Sequence, residues 1–349
     1  MFKKLINKIT SLSNTKKVLL LTILIIIVQI LFLNVQSAFK PLDIFLILIK
    51  AALLVLIFRI WIKVSKEKGN EKFLYSNIFI SVVIMFTSLF FIVYHVQNDF
   101  LFHPGNSRVN EQNHENLDAS VYEVIQFNDY TGYYKKGVEG SNHLILYFGG
   151  NSEYGATTIR KFGDLEDLTI TEDDMLNNYN VLMFDYPGYG KSKGQPKEQT
   201  IFKMALDVYD FVISDARFKD FELTVAGFSI GTGPASYLAK ERDVKKLILV
   251  APYTNGYDLF NQFVPIFYGP TTWILTNQLR NDQHLKDYKG KLLILATTDD
   301  ELVKYELTKK LVLNLDNVDL TFKTREGFTH NYFFVDQASV QIMSDFIES

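Results

Sequence analysis

The sequence predicts an α/β protein: a mostly parallel sheet of roughly eight strands with helices on both faces, preceded by a membrane region of about three helices. Three observations carry this expectation. From about residue 115, short β-branched or aromatic runs alternate with longer helical stretches, and near-continuous apolar strands between helices mean a sheet covered on both faces. Three long apolar stretches occupy the first hundred residues. Charge divides at the same place: residues 1–75 hold 12 Lys/Arg and 3 Asp/Glu (net +9), and the remainder holds 24 and 36 (net −12). A basic, apolar head on an acidic body suggests a membrane region over 1–97 and a soluble domain over 98–349. The acidic body argues against a nucleic-acid partner, which would need a basic face.

The expected membrane spans are 18–35, 42–62 and 77–95. The first has no charge, and at 1.5 Å per residue its roughly 18 residues reach about 27 Å, close to the hydrocarbon thickness. It also reads as a signal peptide, with five lysines before it and Ser37 and Ala38 near a cleavage site, but the length of the run and the two later spans favour retention. The second contains Lys50, which disfavours insertion by roughly 2.5–3.5 kcal/mol, so its neighbours shield it or the segment lies tilted at the interface. Lysines at 3, 4, 8, 16 and 17, and again at 63, 66, 68 and 72, should hold both segments in the cytoplasm. Three spans then make an integral plasma-membrane protein with its C-terminal domain outside the cytoplasm. If 42–62 does not span, that sidedness reverses. The chain has no cysteine, which excludes disulfides, cysteine metal sites and a cysteine nucleophile.

Strands are expected at 122–127, 131–135, 144–148, 181–184, 223–226, 247–250, 292–296 and 319–323. Helices are expected at 198–216, 233–241, 259–279, 305–313 and 336–347. Chemistry in such a sheet belongs beyond the carboxyl ends of the strands. There Gly227-Phe-Ser229-Ile-Gly231 joins the fifth strand to a helix, the context of a nucleophile elbow. The serine sits in a strained turn, and small neighbours let strand and helix approach. A second copy of the pattern, Gly190-Lys-Ser192-Lys-Gly194, follows Pro187 and Gly188, is flanked by lysines and reads as a turn. It also fails as a phosphate loop, because Asp185 stands where a glycine is needed.

A serine hydroxyl needs a general base, and the base an orienting acid, in the chain order serine, acid, histidine. Of six histidines only His330 follows the last strand; His95, His103, His114, His143 and His284 lie elsewhere. The acid belongs after the seventh strand, where Asp299, Asp300 and Glu301 stand together and two of the three should be a solvated acidic turn. Two preorganised N–H donors are needed for an oxyanion. Ile230 should supply one. The other should come from Gly149-Gly150-Asn151, with Asn151 first and Gly150 second.

Read together, these motifs resemble the α/β-hydrolase superfamily, and within it the membrane-anchored branch of the ABHD12, ABHD13 and ABHD17 type. The resemblance covers roughly 98–349. It rests on Asp99-Phe-Leu-Phe-His-Pro104, Tyr147-Phe-Gly-Gly-Asn-Ser152, the stretch from Asp185 to Pro196, the elbow, Asp300-Glu-Leu-Val303 and Gly327-Phe-Thr-His330. It implies the α/β-hydrolase fold, and its Asp-x-x-Val form singles out Asp300 over Asp299. Departures are Lys304 for a proline, Gly149 for a histidine and Ala296 for a glycine.

The expected function is a membrane-anchored serine hydrolase that cleaves an acyl ester or thioester of a lipid-like or acylated substrate, without metal or organic cofactor. A serine peptidase of the same fold, a non-catalytic membrane scaffold and a transporter or sensor are the alternatives. The segment 252–289 is rich in aromatic and apolar residues, among them Phe260, Phe263, Phe267, Tyr268 and Trp273. It reads either as ordinary helix packing or as a lid over an acyl pocket.

Overall fold

The computed structural model describes residues 117–162 and 175–349 throughout, 97–98 and 100–103, and scattered positions from 11 to 93. Two compact units result, Met1–Val96 and Gln97–Ser349. The expected spans 18–35, 42–62 and 77–95 fall mostly outside the described residues, and the positions described within them are helical. Among the described residues no helix is long and apolar enough to cross a membrane. His95 and His114 also lie outside the described residues.

The second unit is built on one eight-stranded sheet in the order β1-β2-β4-β3-β5-β6-β7-β8. The strands are β1 (Tyr122–Phe127), β2 (Tyr130–Lys135), β3 (His143–Phe148), β4 (Asn180–Phe184), β5 (Glu222–Phe228), β6 (Lys246–Val250), β7 (Lys291–Thr297) and β8 (Asp319–Arg325). A two-residue turn joins β1 to β2, and Asn128 supplies its left-handed residue at φ 53°. β2 runs antiparallel to β1 and β4, and every other pairing is parallel. β4 and β6 are buried at every position, as their unbroken apolar runs demand, whereas β8 closes the edge with an exposed, charged sequence.

Helices α1 (Gly155–Thr158), α2 (Glu198–Ser214), α3 (Thr232–Glu241), α4 (Gly256–Asn261), α5 (Asn281–His284), α6 (Tyr305–Val312) and α7 (Gln337–Glu348) fill the connections. Ile145 and Tyr147 of β3 and Val181 and Met183 of β4 pack with Phe162, Phe333, Phe334, Met343 and Ile347 on one face. The intervening Leu144, Leu146 and Leu182 point to the other face and are equally buried. The continuous helix expected over 259–279 does not form. Instead α4 ends at Asn261, and a 3-10 turn, Gly269–Ile274, follows a loop. Pro265 and Pro270 remove N–H donors and Gly269 takes φ 55°, so no helical ladder can run through.

Candidate active site

The end of β5 forces Ser229 into the left-handed region at φ 52°, a conformation that non-glycine residues adopt rarely and at a cost. The tightness of the turn explains its glycines. A Cβ on Gly227 would lie 2.6 Å from the Gly231 carbonyl oxygen, and one on Gly231 would lie 2.1 Å from that of Phe148. Ser229 is half-buried, and Ile230 is buried at the start of the turn into α3. The Thr232 hydroxyl donates to the Ser229 carbonyl at 2.7 Å and ties the elbow to that helix.

His330 lies in a short turn after β8 and is 2% exposed. Its Nδ1 is 2.7 Å from Asp300 Oδ2, so the ring donates there and Nε2 is left as the acceptor nitrogen. The other Asp300 oxygen accepts the N–H groups of Leu302 and Val303 at 2.9 and 2.7 Å. Asp300 is thus clamped by its own turn while it faces the ring. The Phe228 ring, adjacent to the serine, packs 4.8 Å from the His330 ring and brings elbow and histidine to one end of the sheet.

The other two carboxylates of the acidic turn are exposed, and each also accepts a backbone hydrogen bond from the histidine loop. Asp299 Oδ2 accepts the Gly327 N–H at 2.8 Å, and Glu301 Oε2 accepts the His330 N–H at 3.1 Å. All three acids therefore bear on the histidine loop. The reach of Asp299 and Glu301 to backbone about 30 residues away has no local sequence signal.

Opposite the elbow, the loop after β3 comes close. A Cβ on Gly150 would lie 3.6 Å from that of Ser229. The Gly150 N–H is already committed to Glu153 Oε2 at 2.8 Å. Glu153 also accepts from the Tyr147 hydroxyl at 2.8 Å and pairs with the Lys161 ammonium. Burial pulls Lys161 down to about 8, and its ammonium lies 5.5 and 5.2 Å from the ring centres of Phe228 and Phe334. The Asn151 side chain is held from outside the loop, by His103. Glu153 and Lys161 carry no motif spacing that marks them in the sequence, and His103 falls in the Asp99–Pro104 stretch of the resemblance with no role attached to it.

Ser192 is placed elsewhere and is used structurally. Its hydroxyl donates to the Asp185 carbonyl at 2.8 Å and accepts the Thr131 N–H at 2.9 Å. His284 meets the stacked rings of Phe202 and Tyr237 edge-on, and burial pulls it down to about 4. Among the described residues no group of three or more His, Asp or Glu side chains is arranged to hold a metal ion.

Comparison with known proteins agrees with this architecture. Residues 170–273 match the family described as alpha/beta hydrolase fold. The chain is 30% identical over 240 residues to the lysophosphatidylserine lipase ABHD12 of Gallus gallus, covering 60% of this chain and 59% of that protein. Against the Danio rerio lysophosphatidylserine lipase ABHD12 it is 27% identical over 264 residues, covering 67% and 65%. The chain thus spans less than two thirds of the length of these relatives. Among solved structures, the Pyrococcus furiosus esterase Pf2001 is similar at 17% identity, covering 71% of this chain and 96% of that one with a TM-score of 0.49. With its eight-stranded sheet, strained elbow and family match, the chain has the α/β-hydrolase fold and resembles the ABHD12-like branch of that superfamily.

Proposed function

We propose that the chain is a membrane-anchored serine hydrolase that cleaves an acyl ester or thioester of a lipid-like substrate. The single observation that carries this is the Asp300–His330 pair, 2.7 Å apart at the sheet end where Ser229 is held left-handed. In this reading Ser229 Oγ attacks the acyl carbonyl and His330 Nε2 takes its proton. Asp300 holds the ring and stabilises the imidazolium. The N–H groups of Ile230 and Asn151 receive the oxyanion, a choice over Gly150 supported by the commitment of the Gly150 N–H to Glu153. His330 returns the proton to the departing alcohol or thiol. Water, activated by the same imidazole, then releases the acid and regenerates Ser229. No step calls for a metal or an organic cofactor.

The lipid-like character of the substrate rests on two supports. Relatives are named as lysophosphatidylserine lipases. The other support is the 259–279 segment, which contains no Asp, Glu, Lys or Arg. Phe260, Phe267, Ile274 and Leu275 are buried, while Phe263, Tyr268 and Trp273 are exposed, Trp273 by 79%. Uncharged, aromatic surface of this kind suits an acyl chain or the headgroup level of a bilayer. It favours the lid reading over ordinary packing. The anchor lies in residues 1–96, in the plasma membrane, with the hydrolase unit that begins at Gln97 outside the cytoplasm.

The test is fluorophosphonate labelling of the full chain in membranes, comparing wild type with Ser229→Ala and Ser192→Ala. Labelling should vanish with Ser229→Ala alone, and esters of graded acyl length should then be hydrolysed. A folded wild type that neither labels nor hydrolyses would reject the enzyme reading in favour of a scaffold.

A further inference from the structure

Residues 97–98 and 100–103, which follow the Met1–Val96 unit in sequence, belong to the second unit and contact its insert and the loop after β3. The first of them, Gln97, is 1% exposed, and its Oε1 accepts the N–H groups of Thr276 and Asn277 at 2.8 and 3.2 Å. Asn98 Oδ1 accepts the Asn277 side-chain amide at 2.6 Å. Asn277 in turn accepts the Glu198 N–H at 2.8 Å, fastening this end to the start of α2. Midway, the Phe100 ring stacks on Phe260 at 4.8 Å and meets Phe263 edge-on at 5.5 Å. Leu101 and Phe102 are 2% and 3% exposed. At the far end His103 reaches the loop after β3, where its N–H and its ring Nδ1 lie 2.8 and 3.0 Å from the one acceptor Asn151 Oδ1.

The two ends have different consequences. Gln97, Asn98 and the apolar residues fasten the segment to the aromatic insert and to α2. His103 does no packing of comparable size, since it is exposed. Its two contacts converge on one side chain, and that side chain belongs to the residue whose N–H is needed in the oxyanion hole. An amide held by two donors on the side-chain oxygen cannot swing freely, so the backbone N–H of the same residue keeps its direction. Preorganised donors matter because they are aimed before charge develops, and a misplacement of about 1 Å can cost roughly 10²-fold.

We propose that residues 97–98 and 100–103 form a strap that aims the oxyanion loop, with His103 as a positioning residue acting through Asn151. This rests on the Ser229 reading above. The strap joins the aromatic insert to the oxyanion loop, so whatever seats on the insert is mechanically linked to the donor. His103→Ala keeps the backbone contact and loses the ring contact. His103→Asn restores a donor, because the Asn amide nitrogen occupies the place of the imidazole Nδ1 on the same two-bond stem.

The experiment uses the full chain in detergent with a p-nitrophenyl ester, reading kcat and KM separately, the rate of fluorophosphonate labelling and Tm. His103→Ala should lower kcat and the labelling rate about tenfold, with KM within twofold and Tm nearly unchanged, and His103→Asn should recover to within about threefold of wild type. In a double-mutant cycle with Asn151→Ala, the double variant should be no slower than the slower single, because both changes break one contact. Wild-type kcat in His103→Ala, equal losses in the Ala and Asn variants, or additive losses in the cycle would each overturn the proposal while Ser229 labelling leaves the parent reading intact. A wild type that neither labels nor turns over ester overturns both.

Discussion

Asp300 and His330 stand thirty positions apart in the chain, yet their Oδ2 and Nδ1 atoms meet at 2.7 Å with the two side chains only 2% and 3% exposed. The pairing arises because β7 and β8 are parallel neighbours, with Thr297 beside Arg325, so the loops that leave their carboxyl ends must run together. Removing both groups from water strengthens their interaction and makes it sensitive to replacing the acid.

In the proposed reaction, Asp300→Asn should lower kcat for ester hydrolysis at neutral pH by roughly 10³–10⁴, because an amide cannot hold the same tautomer or stabilise the imidazolium. Asp299→Asn alters contacts from the Gly327 N–H and the Thr298 hydroxyl, neither of them to the His330 ring, and should cost about tenfold or less. Steady-state kinetics on the two variants tests the assignment. A deeper loss in Asp299→Asn would reverse it.

Gly231→Ala should disable the elbow without touching a reacting atom. Its Cβ would press on the Phe148 carbonyl oxygen at 2.1 Å, and the turn must open to admit it. Overpacking of this kind costs about 1–3 kcal/mol, which lowers Tm by several degrees. Loss of fluorophosphonate labelling should exceed the loss of folded protein. Labelling at the wild-type rate would mean the turn is far softer than its packing implies.

The Glu153–Lys161 pair should be costly to break from one side. Lys161→Met leaves the carboxylate facing Gly150 and Tyr147 without its cation, in surroundings only 15% open to solvent. Destabilisation of about 1–3 kcal/mol is expected, below the full figure for a wholly buried pair because Lys161 is 28% exposed. Adding Glu153→Gln should restore a good part of it, and a thermal-melt double-mutant cycle reads the coupling. Simple additivity would mean that the pair is not coupled.

Asp185 should give stability a distinctive dependence on pH. Burial raises its carboxyl to about 6, against the lowering effect of N–H bonds from Gly155 and Lys191 and a hydrogen bond from Tyr133. The folded chain therefore binds this proton more tightly than the unfolded chain between pH about 4 and 6. The stability linked to this group is full below that window and is lost as pH rises through about 6. Urea denaturation at several pH values should show wild type losing about 2–3 kcal/mol relative to Asp185→Asn across that range, then levelling. A constant difference would refute the raised carboxyl.

The eight strands, their order of appearance and the strained serine turn were legible in the sequence, because each rests on local properties. Apolar runs define β4 and β6, Gly227 and Gly231 permit the sharp turn, and His330 is the histidine placed after the last strand. Where the local reading misled, at 259–279, a continuous helix was expected and Pro265, Gly269 and Pro270 overruled it.

What only the tertiary structure decided is which partners meet. The Asp-x-x-Val resemblance singles out Asp300 for the His330 ring, but nothing in the chain indicates that Glu301 takes the His330 backbone N–H. Nothing near Asn151 indicates that His103, 48 positions earlier, holds its side chain. Residue type and spacing determine secondary structure because backbone hydrogen bonds and side-chain periodicity act over a few residues. Hydrogen-bond partners among loops are chosen by the convergence of distant strand ends, a property of the folded sheet and of no single segment.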